Sequence, residues 1–179
     1  MKSTEVNGLL RDRIAPEMKS LGFKREKSLL SWSRHHGDLY TVVWCQVSQD
    51  GWDEYAGSKF TVEFQRSIES VVGSASKQRQ RVGKLISDVQ REEVRHRQNR
   101  VVASLRRPPE DHPILSVSPD VTKWYLAIFE QDPGPYPQNH DIWLRYASPE
   151  HVEDWSVFLV KVLHQCVETI EQSAESTKS

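Results

Sequence analysis

Asp53 stands ten residues before the run Glu63-Phe64-Gln65, and in a strand, where side chains alternate, Glu63 and Gln65 point the same way. An acid followed by acid-x-Lys or acid-x-Gln is the arrangement of metal-dependent nucleases, in which paired carboxylates hold Mg²⁺ for phosphodiester hydrolysis. The proline that usually precedes the first acid is missing, and Gln65 stands where Lys is commoner. Any half-exposed strand generates the same alternation, so the simpler reading is an outer sheet face, with Lys59, Thr61, Glu63 and Gln65 directed outward.

Other chemistries find less support. His35 and His36 are adjacent and diverge if they belong to a hairpin, and no second ligand pair stands nearby at zinc spacing. His112 and His140 fall in loop patterns, and His164 lies off an apolar stripe. There is no Gly-x-Ser-x-Gly elbow, neither Cys45 nor Cys166 has a base in its context, and the eight glycines are scattered singly rather than gathered into a phosphate loop. The expectation is a chain with no catalytic residue, no metal and no cofactor.

Charge is uneven. Net charge is −1, yet residues 77–107 carry ten Lys or Arg against three Asp or Glu, a surplus of +7 that leaves −8 for the remainder. Arg91, Arg95 and Arg106 fall on or near one side of a helical pattern and could meet successive phosphates. No aromatic residue lies between Phe64 and Trp124, so this segment by itself offers no stacking platform for a single strand. A basic helix packed against acidic surface of the same chain or of a protein partner is the plainer reading. Two loops combine aromatics with turn residues: Trp52 and Tyr55 among acids, and Tyr136 between Pro135 and Pro137. Aromatic anchors on constrained loops suit protein recognition, and the same rings would serve equally as plugs of the core.

The elements that must position these residues are legible in part. Val6, Leu9, Leu10, Ile14 and Leu21 recur at helical spacing, with Pro16 expected to end or kink the helix near Ile14 and Gly22 marking its exit. Residues 29–34 and 39–48 read as strands joined at His36-Gly37-Asp38, and 59–65 as a third, with Phe60, Val62 and Phe64 toward the core. Residues 70–76 read as loop. Ser87 or Asp88 caps a helix running to about Leu105, stopped by Pro108 and Pro109. Residues 124–129 and 142–146 read as strands. Pro149 then opens a helix whose stripe of Val152, Trp155, Leu159, Val162, Leu163, Cys166 and Ile170 is the clearest periodic signal in the chain. Residues 171–179 read as a polar, frayed tail.

With 179 residues, 37% hydrophobic and 27% charged, the chain fits one domain, at 1–170, able to bury a core without metal or disulfide. No apolar run approaches the roughly 20 residues that span a bilayer, and the N-terminus lacks the apolar stretch of a signal peptide. The expected location is the cytoplasm, with no membrane partner. Two isolated cysteines suit reduced, buried thiols.

The helix closing on Leu21-Gly22-Phe23, the hairpin after it and the strand Phe60-Thr61-Val62-Glu63-Phe64 together resemble the bacterial domain-of-unknown-function family 4304, over about residues 5–65. That resemblance implies a fold and carries no established activity. The fold expected is α+β: a mainly antiparallel sheet of about five strands, N- and C-terminal helices on one face, and an Arg-rich helix inserted mid-chain. The expected function is a non-enzymatic module that binds a protein partner through Trp52, Tyr55, Tyr136 or the arginines Arg91, Arg95 and Arg106. Its bacterial setting and small size would suit toxin immunity or phage defence. The alternatives are nucleic-acid binding by segment 77–107 and Mg²⁺-dependent hydrolysis at Asp53, Glu63 and Gln65.

Overall fold

Val6, Leu10, Ile14 and Met18 fall every four residues and form the wholly buried stripe of α1 (Ser3–Ser20) in the computed structural model, which describes residues 1–27, 30–74, 76–137 and 141–175. Pro16 lies inside α1 and does not end it. It sits on the exposed side, where the carbonyl it leaves without a donor meets water, while Ile14 and Met18 anchor the turns on either side. The exit is as expected: Gly22 takes φ +81°, the Phe23 N–H donates to the Met18 carbonyl at 2.9 Å, and the chain reverses as at many helix C-termini.

The sheet follows as β1 (Lys24–Arg25), β2 (Leu30–His36), β3 (Leu39–Val47), β4 (Ser58–Ser67) and β5 (Ser76–Arg81), antiparallel and in that order. A sixth strand, β6 (Leu144–Tyr146), pairs with the other end of β4. Leu29, expected at the start of β2, and His140 lie outside the described residues. The α+β architecture is as anticipated, with one strand more. β5 falls partly in a stretch read as loop. Its sequence, Ser-Lys-Gln-Arg-Gln-Arg, has no apolar alternation, and its pairing with β4 sets Arg79 opposite Gln65 and Arg81 opposite Glu63.

Between β5 and β6 the chain makes the short α2 (Val82–Leu85), the Arg-rich α3 (Asp88–Ser104) and an excursion containing α4 (Pro119–Leu126). Residues 124–129 are therefore not a strand: α4 runs into a 3₁₀ turn at Ala127–Phe129. Ser118 accepts a hydrogen bond from the Val121 N–H and Pro119 occupies the first turn. That start signal prevails over the aromatic and β-branched run that follows it.

The last element, α5 (Pro149–Glu175), lies with α1 over one face of the sheet. Trp155, Phe158, Leu159, Val162 and Leu163 meet Trp32, Val43, Phe60, Val62 and Phe64 in a single core. α5 continues past residue 170, and Glu171 is buried within it rather than fraying; residues 176–179 lie outside the described residues. On the opposite sheet face, Thr61, Glu63 and Gln65 were expected to point outward to solvent, yet all three are buried. Long side chains and the turn at 68–74 fold over them in place of a second helix layer. No helix is long and apolar enough to cross a membrane among the described residues.

Candidate functional site

The three residues of the nuclease pattern are not brought together. Glu63 is held between Arg79 (2.5 Å) and Arg81 (3.2 Å). The Gln65 amide donates to Ser67 and to the Val71 carbonyl and accepts from the Gly73 N–H at 3.0 Å, fixing the 68–74 turn. Asp53 belongs to the other end of β4. It pairs with Gly57, and Glu63 lies six residues further along the strand, about 20 Å at ordinary strand rise. Among the described residues no group of three His, Cys, Asp or Glu side chains is placed to hold a metal ion. Glu63 instead neutralises two guanidiniums that also lie over indole rings, Arg79 on Trp44 and Arg81 on Trp143. Glu63→Ala is expected to lower stability by about 1 kcal/mol, since it leaves two neighbouring guanidiniums without their shared carboxylate, although Arg79 is half exposed and Arg81 keeps Asp141; an unchanged urea midpoint would show that the cluster contributes nothing.

The basic helix offers few free cations. Arg91, one of the three arginines that could have met phosphate, is 4% exposed; it donates to the Gly83 and Ile86 carbonyls at the end of α2 and pairs with Asp88. Arg95 is tied to Glu92 and to the Asp132 carbonyl, and Arg97 to Glu93 and Asp154. Arg106 is exposed but lies beyond the helix. α3 docks through polar clamps: Gln98 donates to the Trp143 carbonyl and accepts from the Arg145 N–H, while Asn99 does the same for the carbonyl and N–H of Asp132. Two consecutive amides thus satisfy backbone that no strand pairs. The low apolar content of α3 is explained by this mode of docking.

Tyr136 is half-buried and packs against the core, and burial pushes its phenol pKa up. It is a plug rather than an exposed anchor. Tyr55 is also engaged, edge-on to His112 at 5.2 Å, and His112 in turn stacks on Tyr125 at 5.7 Å. Trp52, by contrast, remains 40% exposed.

Trp52 belongs to the 48–57 loop, whose shape is closely determined. The N–H and carbonyl of Asp53 pair with those of Gly57 at 3.0 and 2.9 Å. One oxygen of Asp53 accepts from the Tyr55 N–H, the Ala56 N–H and the Tyr125 hydroxyl at 2.8, 2.6 and 2.9 Å. Burial raises its pKa, and these donors with His112 outweigh that and hold it below the usual range. Gly57 takes φ +65°, and a Cβ there would lie 2.2 Å from the Tyr146 carbonyl oxygen, so the loop sits directly on β6.

Two clefts flank this loop and share Ser48, Gly51 and Ser58. One, of about 640 Å³, is lined by Trp52 and the start of α1. The other, of about 200 Å³, lies against α4 and is lined by Ile114, Trp124, Tyr125 and Ile128, with Lys59 and Arg145 at its base. Lys59 pairs with Asp50 at 3.1 Å, and Arg145 donates to the Ile128 carbonyl at 2.8 Å. Trp124 is 55% exposed while Tyr125, one position on, is 2% exposed. Reading residues 124–129 as a strand hid Trp124; the Ser118-Pro119-Asp120 start would have placed it on the outer side of a helix whose inner side holds Tyr125. Cys45 and Cys166 are free and buried, with burial pushing each thiol pKa up to about 12. No family model, curated protein or solved structure matches this chain.

Proposed function

We propose that this chain is a non-catalytic protein-binding module whose contact surface is formed by the 48–57 loop and α4. The observation that carries the reading is the pair of exposed indoles, Trp52 and Trp124, on the two sides of a loop locked by Asp53, Gly57 and the Tyr55–His112–Tyr125 stack. Large rings held on fixed backbone lose little conformational freedom on binding, which is what recognition surfaces exploit. The arginines first associated with a polyanion are committed to internal partners, Arg91 and Arg95 above all, and this weighs toward protein rather than nucleic acid. Kinship with the family resembled by residues 5–65, a bacterial cytoplasmic setting and a role in toxin immunity or phage defence belong to the same proposal. The kinship rests on the helix, Gly22 exit and hairpin that carry the resemblance, and the setting and role follow from that resemblance and from the small size of the chain alone.

The test is site-specific crosslinking. A photoreactive amino acid at position 52 or 124, introduced in the host cell, should yield one identified adduct that a mate at exposed Val89 on α3 does not give. Trp52→Ala with Trp124→Ala should then weaken binding of that purified partner at least tenfold with the circular dichroism spectrum unchanged. Undiminished affinity in the double variant would move the contact surface elsewhere.

A further inference from the structure

The indole-bearing surface is also where the acidic charge of the chain is concentrated. Residues 48–57 carry three acids and no base, and residues 108–130 carry four acids and one base, so these two segments hold six net negative charges in a chain whose total is −1. Distant in sequence, they are joined in space by the Tyr125 hydroxyl on Asp53 and by Tyr55 against His112. Asp53 is spent on its turn and Asp50 on Lys59. Glu54, Glu110, Asp111 and Asp120 are exposed, and among the described residues none of the four forms an ion pair. Glu54 is near enough to help raise the Tyr125 pKa, behind burial, Asp53 and Tyr55, so its charge is felt at the cleft itself. The cations on the cleft floor do not offset this: Lys59 has its own carboxylate, and Arg145 is turned inward to a backbone carbonyl.

We infer that the partner of this surface is a cationic peptide segment, with Lys or Arg side chains lying on Trp124 and Trp52 and their charges met by Glu54, Glu110, Asp111 and Asp120. This rests on the protein-binding reading above and specifies its chemistry. An exposed indole is the strongest aromatic partner for an ammonium or guanidinium. A rim of unpaired carboxylates speeds encounter with a basic chain and disfavours an acidic one. It equally repels a phosphate backbone, so the same surface is closed to DNA and RNA. The protein already uses such pairings internally, with Arg79 over Trp44 and Arg25 over Trp32 at 5.0 and 5.4 Å; Trp124 is an indole whose outer face is left to solvent.

The experiment pans a random 12-residue peptide library, displayed on phage, against the immobilised full chain, with counter-selection on the Trp52→Ala, Trp124→Ala variant. Enriched peptides should be rich in Lys and Arg. One of them, synthesised and titrated by calorimetry, should bind at least tenfold more weakly to the variant Glu54→Gln, Glu110→Gln, Asp111→Asn, Asp120→Asn. Its affinity for the unaltered chain should fall as salt is raised, through screening of exposed charges. Peptides that depend on the tryptophans but are neutral or acidic, or whose affinity ignores the four carboxylates, would overturn the cationic partner and leave the binding surface standing. Enrichment that survives counter-selection, or none at all, would overturn both. Among the described residues the four carboxylates are exposed and form no ion pair, so the quadruple variant should lose no more stability than the small helix-end contribution of Asp120 in the first turn of α4, and a circular dichroism spectrum and urea midpoint near those of the wild type separate lost binding from lost folding.

Discussion

Replacing Trp155 with Ala is expected to destabilise the protein by roughly 3–5 kcal/mol, a large share of what a domain of this size possesses. The residue is 1% exposed. Its ring meets Phe158 edge to face at 6.1 Å, and its indole N–H donates to the Arg145 carbonyl at 2.6 Å. Removing it opens a cavity and also strips a donor from β6, a strand of only three residues that pairs with β4 over three positions. Trp155→Phe separates the two contributions, since it restores most of the volume but not the donor, and should cost about 1–2 kcal/mol. Both are read from urea titrations; a loss below about 1 kcal/mol for Trp155→Ala would mean that α5 is not the principal cover of the sheet.

The parts of this fold that were legible in the sequence are those where burial alone selects the residue. Val6, Leu10 and Ile14 in α1, Phe60, Val62 and Phe64 in β4, and the Trp155-to-Ile170 stripe of α5 are apolar at the period of their element, and each is buried; Leu9 and Leu21 pack only partly against the core, and Met18 completes the α1 stripe. What escaped were the strand β5 and the way α3, itself legible from its Ser87 cap to Leu105, docks through polar atoms. β5 pairs through its backbone while its arginines serve Glu63, and no hydrophobic period betrays that. α3 docks by the amides of Gln98 and Asn99 and by Arg91, side chains that from sequence alone are indistinguishable from a solvated face. Arg91 and Arg95, which could have met phosphate, instead use long stems and forked donors on internal backbone carbonyls.

The candidate surface was half visible for a related reason. Trp52 was recognisable, because a loop with Asp50, Gly51 and Asp53 around a tryptophan reads as a turn displaying a ring. Trp124 was not, since its neighbours Tyr125, Leu126, Ile128 and Phe129 have the composition of a strand. A strand would have set Trp124 on one face with Leu126 and Ile128, whereas the helix leaves Trp124 exposed and turns Tyr125 inward. The coincidence of the 48–57 loop with the 108–130 excursion is tertiary, made by a hydroxyl on a carboxylate seventy-two residues away, and no local pattern encodes it.

Glu171→Ala is expected to cost about 3–5 kcal/mol, the range for removing one member of a buried ion pair. Its carboxylate is 5% exposed and receives the Arg34 fork at 3.0 and 2.5 Å and the Thr41 hydroxyl at 2.5 Å. Arg66 donates to that same hydroxyl at 2.7 Å and to the His36 carbonyl at 3.0 Å, so one glutamate near the end of α5 organises β2, β3 and β4 together. Burial alone would raise its pKa, but the hydrogen bonds from Arg34 and Thr41, with the charges of Arg34 and His36, outweigh burial and lower it from the ordinary 4.5. The sign follows from linkage: a carboxyl whose folded pKa is depressed contributes its full stability above the unfolded value and loses it as pH falls through the folded one. The wild-type protein should therefore lose stability progressively below about pH 4.5, and Glu171→Gln, which is neutral throughout, should remove that part of the acid slope while lowering stability at pH 7. Arg34→Met in the Glu171→Gln background should recover part of the loss, because the penalty of a half-satisfied pair lies in the guanidinium left behind. If urea midpoints of wild type and Glu171→Gln instead ran parallel from pH 7 down to pH 3, Glu171 would not be the group that couples the end of α5 to the sheet.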